Sequence, residues 1–290
     1  MSQTISVAAF YRFVAIDDCV SLQKNLLNLC KELGIKGTIL LGYEGINSTI
    51  AGEHDSIEKF FAQLRLDKRF ADISYKLSET NTPPFMRLKV KIKKEIVTLG
   101  VGHVPVLEEA GTYIPTSEWA EFIKRPDVVT IDTRNDYEVA LGSFVGAIDP
   151  KTRTFREFPE WAKNWMQDKN PKELKVAMFC TGGIRCEKST AFMRHLGFEN
   201  VYHLQGGILQ YLEDTQNRDH AWQGECFVFD ERVAVDDHLK ATGAVLCKHC
   251  GNPIMRALKP YESETDNKES LCICCRSDNS KNAENAEKNF

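Results

Sequence analysis

Apolar residues recur along the chain in two rhythms, and their alternation sets out the architecture. Val7 to Val14 reads as a strand, and Leu22 to Leu33 carries the three-to-four-residue spacing of an amphipathic helix ending near Gly34. Lys36 to Leu41 and Asn47 to Ala51 read as two further strands across the turn Gly42-Tyr43-Glu44-Gly45. A second helix runs from about Ser56 to Leu66, followed by strands around Ile73 to Lys76 and from Phe85 to Lys93. The β-α-β-β-α-β order predicts a ferredoxin-like domain over residues 1–100.

After Gly100 the pattern changes. Residues 101–122, punctuated by Pro105, Gly111 and Pro115, read as a linker. Across 123–220 short apolar strands (Val128–Asp132, Val176–Phe179, Val201–Leu204) alternate with helical stretches, as in a parallel sheet. Residues 221–275 read as a small Cys-rich module, and the polar stretch 276–290 as a disordered tail. The fold class expected is a mixed α/β and α+β multidomain protein.

Net charge is −4, too mild to name a partner, but it is unevenly spread. Residues 1–100 hold 14 Lys and Arg against 11 Asp and Glu, and the remainder 23 against 30, so the N-terminal third is the better place for an anionic ligand. Met1 to Phe13 lacks the basic start and apolar core of a signal peptide, and no stretch approaches the roughly 20 apolar residues of a membrane span. A cytoplasmic location with no membrane partner is expected. Five of the ten cysteines crowd into residues 247–275, a clustering that in such a compartment points to metal and catalysis rather than disulfides.

The chemistry concentrates in "CTGGIRCEKS", residues 180–189, between a buried-strand pattern and a helix that Gly197 would stop. Backbone N–H groups converge where a strand feeds a helix, and the helix dipole favours negative charge, so Cys180 is expected to ionise easily. Gly182 and Gly183 allow unusual dihedrals beside Thr181 and Ile184, and Arg185 adds a fixed positive charge for a thiolate or bound anion. The Cys-x4-Arg spacing is one residue shorter than the phosphate-cradling loop of cysteine phosphatases. Cys186 reads either as a resolving thiol or as packing in the first helical turn. Arg134 and Glu138, four apart, would pair on a helix.

Two further patterns stand out. Cys247-Lys-His-Cys250 and Cys272-Ile-Cys-Cys275 are Cys-x2-Cys knuckles that together would close a tetrahedral, structural zinc site. In "RLKVKIKKE" Arg87, Lys89, Lys91 and Lys93 alternate with apolar residues, which on a strand places the four cations on one face, about 7 Å apart, as a track for phosphates. Phe10, Tyr11 and Phe13 are candidate base-stacking aromatics. No Gly-x-Gly-x-x-Gly or haem-attachment motif points to nicotinamide, flavin or haem, and none of the seven histidines begins the His-x-Asp/Glu pair of an iron oxygenase.

Residues 128–215 resemble a rhodanese domain, through "VVTIDTRNDYEVALGSFVGAIDP" and the loop "CTGGIR". Together with "GYEGINSTIAG", "RLKVKIKKEIVTLG" and the Cys-rich end, nearly the whole chain resembles the bacterial tRNA uridine hydroxylase family, departing at Tyr43, Ser48 and Asp149, where Pro, Gly and Asn are usual. The resemblance implies O2-dependent conversion of the tRNA wobble uridine to 5-hydroxyuridine, with tRNA as partner, O2 as co-substrate and no obligate protein partner. It assigns Cys180 and Arg185 to catalysis and Asp132, Arg134 and Glu138 to structural charges. The loop alone also suits a sulfurtransferase carrying a Cys180 persulfide, and a non-catalytic tRNA-binding protein is the third reading.

Overall fold

The first strand, β1 (Ile5–Phe13), has two faces that belong to two different cores. Alternate side chains point to opposite sides of a sheet. Ala8 and Phe10 therefore pack against α1 (Cys19–Glu32) and α2 (His54–Leu64), while Tyr11 and Phe13 pack against the following domain. The structure, a computed structural model, describes residues 4–216 and 221–254.

The hairpin of β2 (Lys36–Gly42) and β3 (Gly45–Gly52) turns beside β1. At Gly45 φ is +148° and a Cβ would lie 2.0 Å from the Arg12 carbonyl oxygen, so the turn accepts glycine alone. With β4 (Lys76–Thr80) on the other side of β1, the order β4-β1-β3-β2 is the ferredoxin-like sheet. The strand expected over Phe85 to Lys93 is present but shorter, as β5 (Leu88–Ile92), and it joins this sheet as a fifth strand, parallel to β2 at the edge. The fourth strand starts three residues later than its apolar signal. Ile73 is buried, but its N–H returns to the Phe70 carbonyl, so pairing with β1 begins at Lys76.

Residues 101–122 are more than a linker. They form α3 (Val106–Glu109), β6 (Thr112–Ile114) and most of α4 (Thr116–Ile123), and β6 is an edge strand of the second sheet. Three residues of strand are too few for periodicity to mark. That sheet runs β6-β10-β9-β7, all parallel, with β7 Val128–Asp132, β9 Lys175–Phe179 and β10 Asn200–Leu204. Its remaining elements are α5 (Asp136–Val139), β8 (Gly142–Phe144), α6 (Phe158–Trp165), α7 (Ile184–His195) and α8 (Gly207–Asp214).

The C-terminal boundary also moves. Residues after 220 begin inside this domain: β11 (Trp222–Gly224) pairs with β8, and Trp222, Cys226 and Val228 join its core. Beyond them lie the short hairpins β12 (Cys226–Phe227) with β13 (Ala234–Val235) and β14 (Val245–Leu246) with β15 (Pro253–Ile254). Arg134 is fully buried, but it does not pair with Glu138. Its guanidinium forks onto Asp132 at 2.9 and 2.7 Å and lies over the Trp222 ring. Only a four-residue helix follows it, so the i, i+4 geometry never forms. Among the described residues no helix is long and apolar enough to cross a membrane.

Lys188 fastens the two domains together. From α7 its buried ammonium donates to Glu44 (2.8 Å), Glu95 (2.7 Å) and the Val97 carbonyl (2.9 Å) of the N-terminal half. The residue before it, Glu187, accepts from Tyr11 of β1 and Tyr113 of β6. Burial pushes the Glu95 carboxyl up, but Lys188 and the N–H groups of Leu99 and Gly100 outweigh it and hold the pKa below the usual range. A depressed carboxylate contributes stability above its unfolded pKa and loses it as pH falls through the folded one. Lys188→Met, which leaves two carboxylates facing an apolar chain, is expected to cost about 3 kcal/mol in urea unfolding. It should also flatten part of the loss of stability on acidification.

Candidate active site

The six residues from Cys180 to Arg185 wrap around one sulfur atom. Cys180 follows β9, and Gly183, at φ +101°, turns its N–H onto the Cys180 sulfur at 3.1 Å before α7 begins. The loop is held from behind by α8, where Ile208 and Leu209 donate to the Cys180 and Thr181 carbonyls at 3.0 and 3.1 Å. Gly207 makes this approach possible, since a Cβ there would sit 2.6 Å from the Cys180 oxygen. Gly182 has open space around its Cα, and Ile184 lies at the mouth of the helix, lining the same cavity.

Arg185 is held by a carboxylate rather than by the sulfur. Its two terminal nitrogens fork onto Glu138 at 2.6 and 2.7 Å, and the second also reaches Thr181 Oγ1 at 3.3 Å. Glu138 thus serves the active loop, bridging α5 to α7. Cys186 lies beside Cys180, its S–H directed at the Cys180 sulfur, with Thr133 Oγ1 3.6 Å behind it.

These groups set the ionisation of Cys180. Its side chain is 1 % exposed, and burial pushes the thiol up. The Cys186 S–H, the Arg185 charge and the N–H groups of Cys186 and Gly183 outweigh that, bringing the pKa to about 6. Cys186 moves the other way: burial and its donation to Cys180 keep it a thiol. The pair at neutral pH is therefore a thiolate with a thiol donor.

Cys180 opens into a cavity of about 1140 Å³ between the two domains. Its opposite wall is the helix-free face of the five-stranded sheet, including Tyr11, Thr38, Leu40, Asn47 and Thr49. Register extends this face to the edge strand, where Lys89 is level with Thr38 and Lys91 with Leu40. Arg87 and Lys93 flank β5 rather than lying within it. Both are exposed, and Lys93 lines a separate shallow groove with Asp17, Asp18 and Tyr43. Of the three aromatics near the N-terminus, Tyr11 presents its ring to the cavity domain, whereas Phe10 belongs to the helix-side core and Phe13 to the second core.

Cys247 is buried and Cys250 exposed in the turn between β14 and β15, where the Cys247 N–H donates to the Asn252 carbonyl and the Gly251 N–H to the Cys247 carbonyl. Cys272 and Cys275, and the tail 276–290, lie outside the described residues.

Residues 5–96 match the family model of the UPF0176 acylphosphatase like domain, and residues 116–214 that of the Rhodanese-like domain. The tRNA uridine(34) hydroxylase of Anaplasma phagocytophilum (strain HZ) is 50% identical over 250 residues, 86% of this chain and 89% of that protein. Those of Wolbachia pipientis wMel (48% over 248 residues, 86% of this chain and 89% of that protein) and Rhizobium etli (52% over 248 residues, 86% and 80%) are similar to it over the same share of the chain. The chain belongs to the tRNA uridine(34) hydroxylase family.

The three departures noted in the sequence are accommodated locally in this family member. Tyr43 is exposed in its turn, Ser48 donates to the Thr38 carbonyl, and Asp149 accepts from the Lys151 N–H. Sequence reasoning missed Lys76, which lines the cavity from β4, and Glu187 and Lys188, which couple the domains. The last two were in view, adjoining Cys186 in the motif; Lys76 carried no signal, because its position depends on how β4 meets the loop.

The ionisation has a direct check. The ultraviolet thiolate absorbance that disappears in Cys180→Ser should titrate with a midpoint near pH 6 in the wild type. Cys186→Ala removes the S–H donor and should move that midpoint upward, whereas Cys186→Ser, which keeps an O–H donor, should restore most of the difference.

Proposed function

We propose that the protein hydroxylates uridine 34 of tRNA at C5, using O2, to give 5-hydroxyuridine, with Cys180 as the reacting side chain. The observation that carries this reading is the cavity itself. A cysteine poised as thiolate forms one wall, and a sheet face continuous with basic residues forms the other. Neither domain alone supplies both.

A wobble uridine lies in a single-stranded loop, so its base can be splayed out and enclosed. Lys89 and Lys91 would meet phosphates on the sheet face, with Arg87 and Lys93 continuing the contact at either end of β5. The base then passes Tyr11 to reach Cys180. Thr181, Gly182, Gly183 and Ile184 shape the loop side of the pocket, and Arg185, fixed by Glu138, keeps the sulfur ionised. Uracil C6 is electrophilic, and a thiolate adding there makes C5 electron-rich. Such a protein works where tRNA is, in the cytoplasm.

At the C-terminal end, Cys247 and Cys250 with Cys272 and Cys275 would hold a zinc ion that stabilises a segment too small for a core. The tight turn carrying Cys247 and Cys250 suits half of such a site. Metal analysis of the purified protein is expected to find about one zinc per chain.

Mass spectrometry of tRNA nucleosides from cells with the wild-type protein, Cys180→Ser or no protein tests the reaction. Hydroxyuridine should be lost in the latter two and in cells grown without O2. Loss of thiolated nucleosides with hydroxyuridine intact would instead make the protein a sulfurtransferase acting through a Cys180 persulfide. Intact levels of both would leave a tRNA-binding module. For the basic strand, replacing Lys89, Lys91 and Lys93 together by Ala should weaken tRNA binding and reduce its salt slope by about two to three.

A further inference from the structure

Every arginine that lines the cavity is committed to a carboxylate: Arg12 to Asp72, Arg185 to Glu138 and Arg232 to Asp230. Lys76 is different. It begins β4, and its register with Ala9 places it on the same open sheet face as Tyr11 and Thr49. From there its side chain crosses to the loop of the other domain, with Nζ 3.5 Å from the Gly182 carbonyl oxygen. Among the described residues no carboxylate lies within ion-pair distance of it.

The groups around Lys76 come from several elements: the Cys180 thiolate from the loop and the carboxylates Glu213 and Asp214 from α8 are negative, whereas Cys226 of β12, its thiol pushed up to about 12 by burial, is neutral. Burial pushes its pKa down, and these negative neighbours only partly offset that, leaving it at about 8. It is therefore an ammonium at neutral pH, half-buried, beside the thiolate nucleophile and with no carboxylate among the described residues at ion-pair distance. A charge kept at that cost is one for which a ligand supplies the partner.

The loop has no donor left over for charge that develops on a bound base. Its Gly183 N–H is spent on the sulfur, and the Cys186 S–H likewise, so both stabilise the thiolate before reaction rather than charge that appears elsewhere during it. We infer that Lys76 is a catalytic residue: its ammonium receives the negative charge released onto a uracil carbonyl oxygen when the Cys180 thiolate adds to C6. This rests on the reading of the protein as a uridine hydroxylase and adds to it the group that makes the addition favourable. In the step the S–C6 bond forms as the C5–C6 π bond breaks. The electron pair moves through C4 onto O4, and Lys76 stabilises the enolate by hydrogen bonding or by transferring its proton. No electron enters or leaves the site. The product of the step carries its electron density at C5, the atom that is to be hydroxylated.

The addition can be isolated from oxygen chemistry. Without O2, reversible addition lets the C5 hydrogen of the target uridine exchange with solvent, which is read as deuterium uptake by nucleoside mass spectrometry of tRNA incubated with the full-length protein in heavy water. The wild type should exchange, and Cys180→Ser should not. Lys76→Met should exchange at least about 100-fold more slowly, the usual loss for an oxyanion donor, with tRNA affinity and melting temperature close to wild type. In the wild type the rate should rise through pH 6 and fall above pH 8, as Cys180 ionises and Lys76 loses its proton. Lys76→Arg should keep part of the rate and extend it to higher pH. A Lys76→Met protein with wild-type rate and pH profile, or one whose loss follows weakened tRNA binding, would overturn the inference. Absence of exchange by a wild type that still makes hydroxyuridine under O2 would overturn it too, while leaving the functional reading intact. Absence of hydroxyuridine would remove both.

Discussion

The arrangement of this protein depends on one buried ammonium. Lys188 sits at the domain boundary with three oxygen acceptors, two of them carboxylates from separate points of the N-terminal half. A lone buried ammonium would be costly, and two carboxylates drawn together would repel each other. Each is acceptable only because the other is present. The interaction is specific in a way apolar packing is not, because sliding the domains by a few ångströms would leave charges unpaired. That requirement sets the distance between the open sheet face and the Cys180 loop, and so the depth of the cavity. Glu187 makes the same kind of contact next to it, receiving two tyrosine hydroxyls, one from each side of the boundary.

The same logic, charge buried with its partner, recurs inward from that boundary. Arg134 with Asp132 stiffens the end of β7 against the β8–β11 ribbon, and Arg185 with Glu138 fixes the helix that begins at the loop. Replacing such a pair by apolar residues often costs little in stability. What the pairs provide here is position. Arg185 would otherwise be free to bind a substrate anion or turn away from the sulfur; forked onto Glu138, it acts on Cys180 as a fixed field. The sulfur in turn is nearly inaccessible to solvent yet ionised, a combination that survives only inside a preorganised set of donors.

How much of this could be read from residues alone follows from the range of the forces involved. The sandwich, the parallel sheet, the loop and its Cys180 were visible because hydrophobic period and glycine placement act over a few residues. Strands of three residues, such as β6 and β11, leave no period to detect, so periodicity alone extends the linker too far and ends the second domain too early. Partner choice was the other failure. Arg134 and Glu138 have helical spacing, but the chain between them makes a single short turn, and each finds its opposite charge elsewhere. Lys76 shows the limit most clearly: nothing in "SYKLSE" distinguishes it from a solvated lysine until β4 is set beside the loop.

The division of labour between the domains follows. A sulfur-carrying loop needs only to hold its own anion, and the parallel-sheet domain does that with N–H groups, an S–H and Arg185. Addition to a pyrimidine ring moves the charge several ångströms off the sulfur and onto the base, beyond the reach of donors aimed at the thiolate. A group on the far side of the base has to receive it, and Lys76 on the open face of the first sheet lines the cavity there. On this account the ferredoxin-like domain takes part in the chemistry itself. By bringing Lys76 within 3.5 Å of the loop, it converts a site suited to sulfur chemistry into one suited to chemistry on a base. The buried lysine at the boundary is then tied to the reaction itself, since it sets the separation across which the charge must travel.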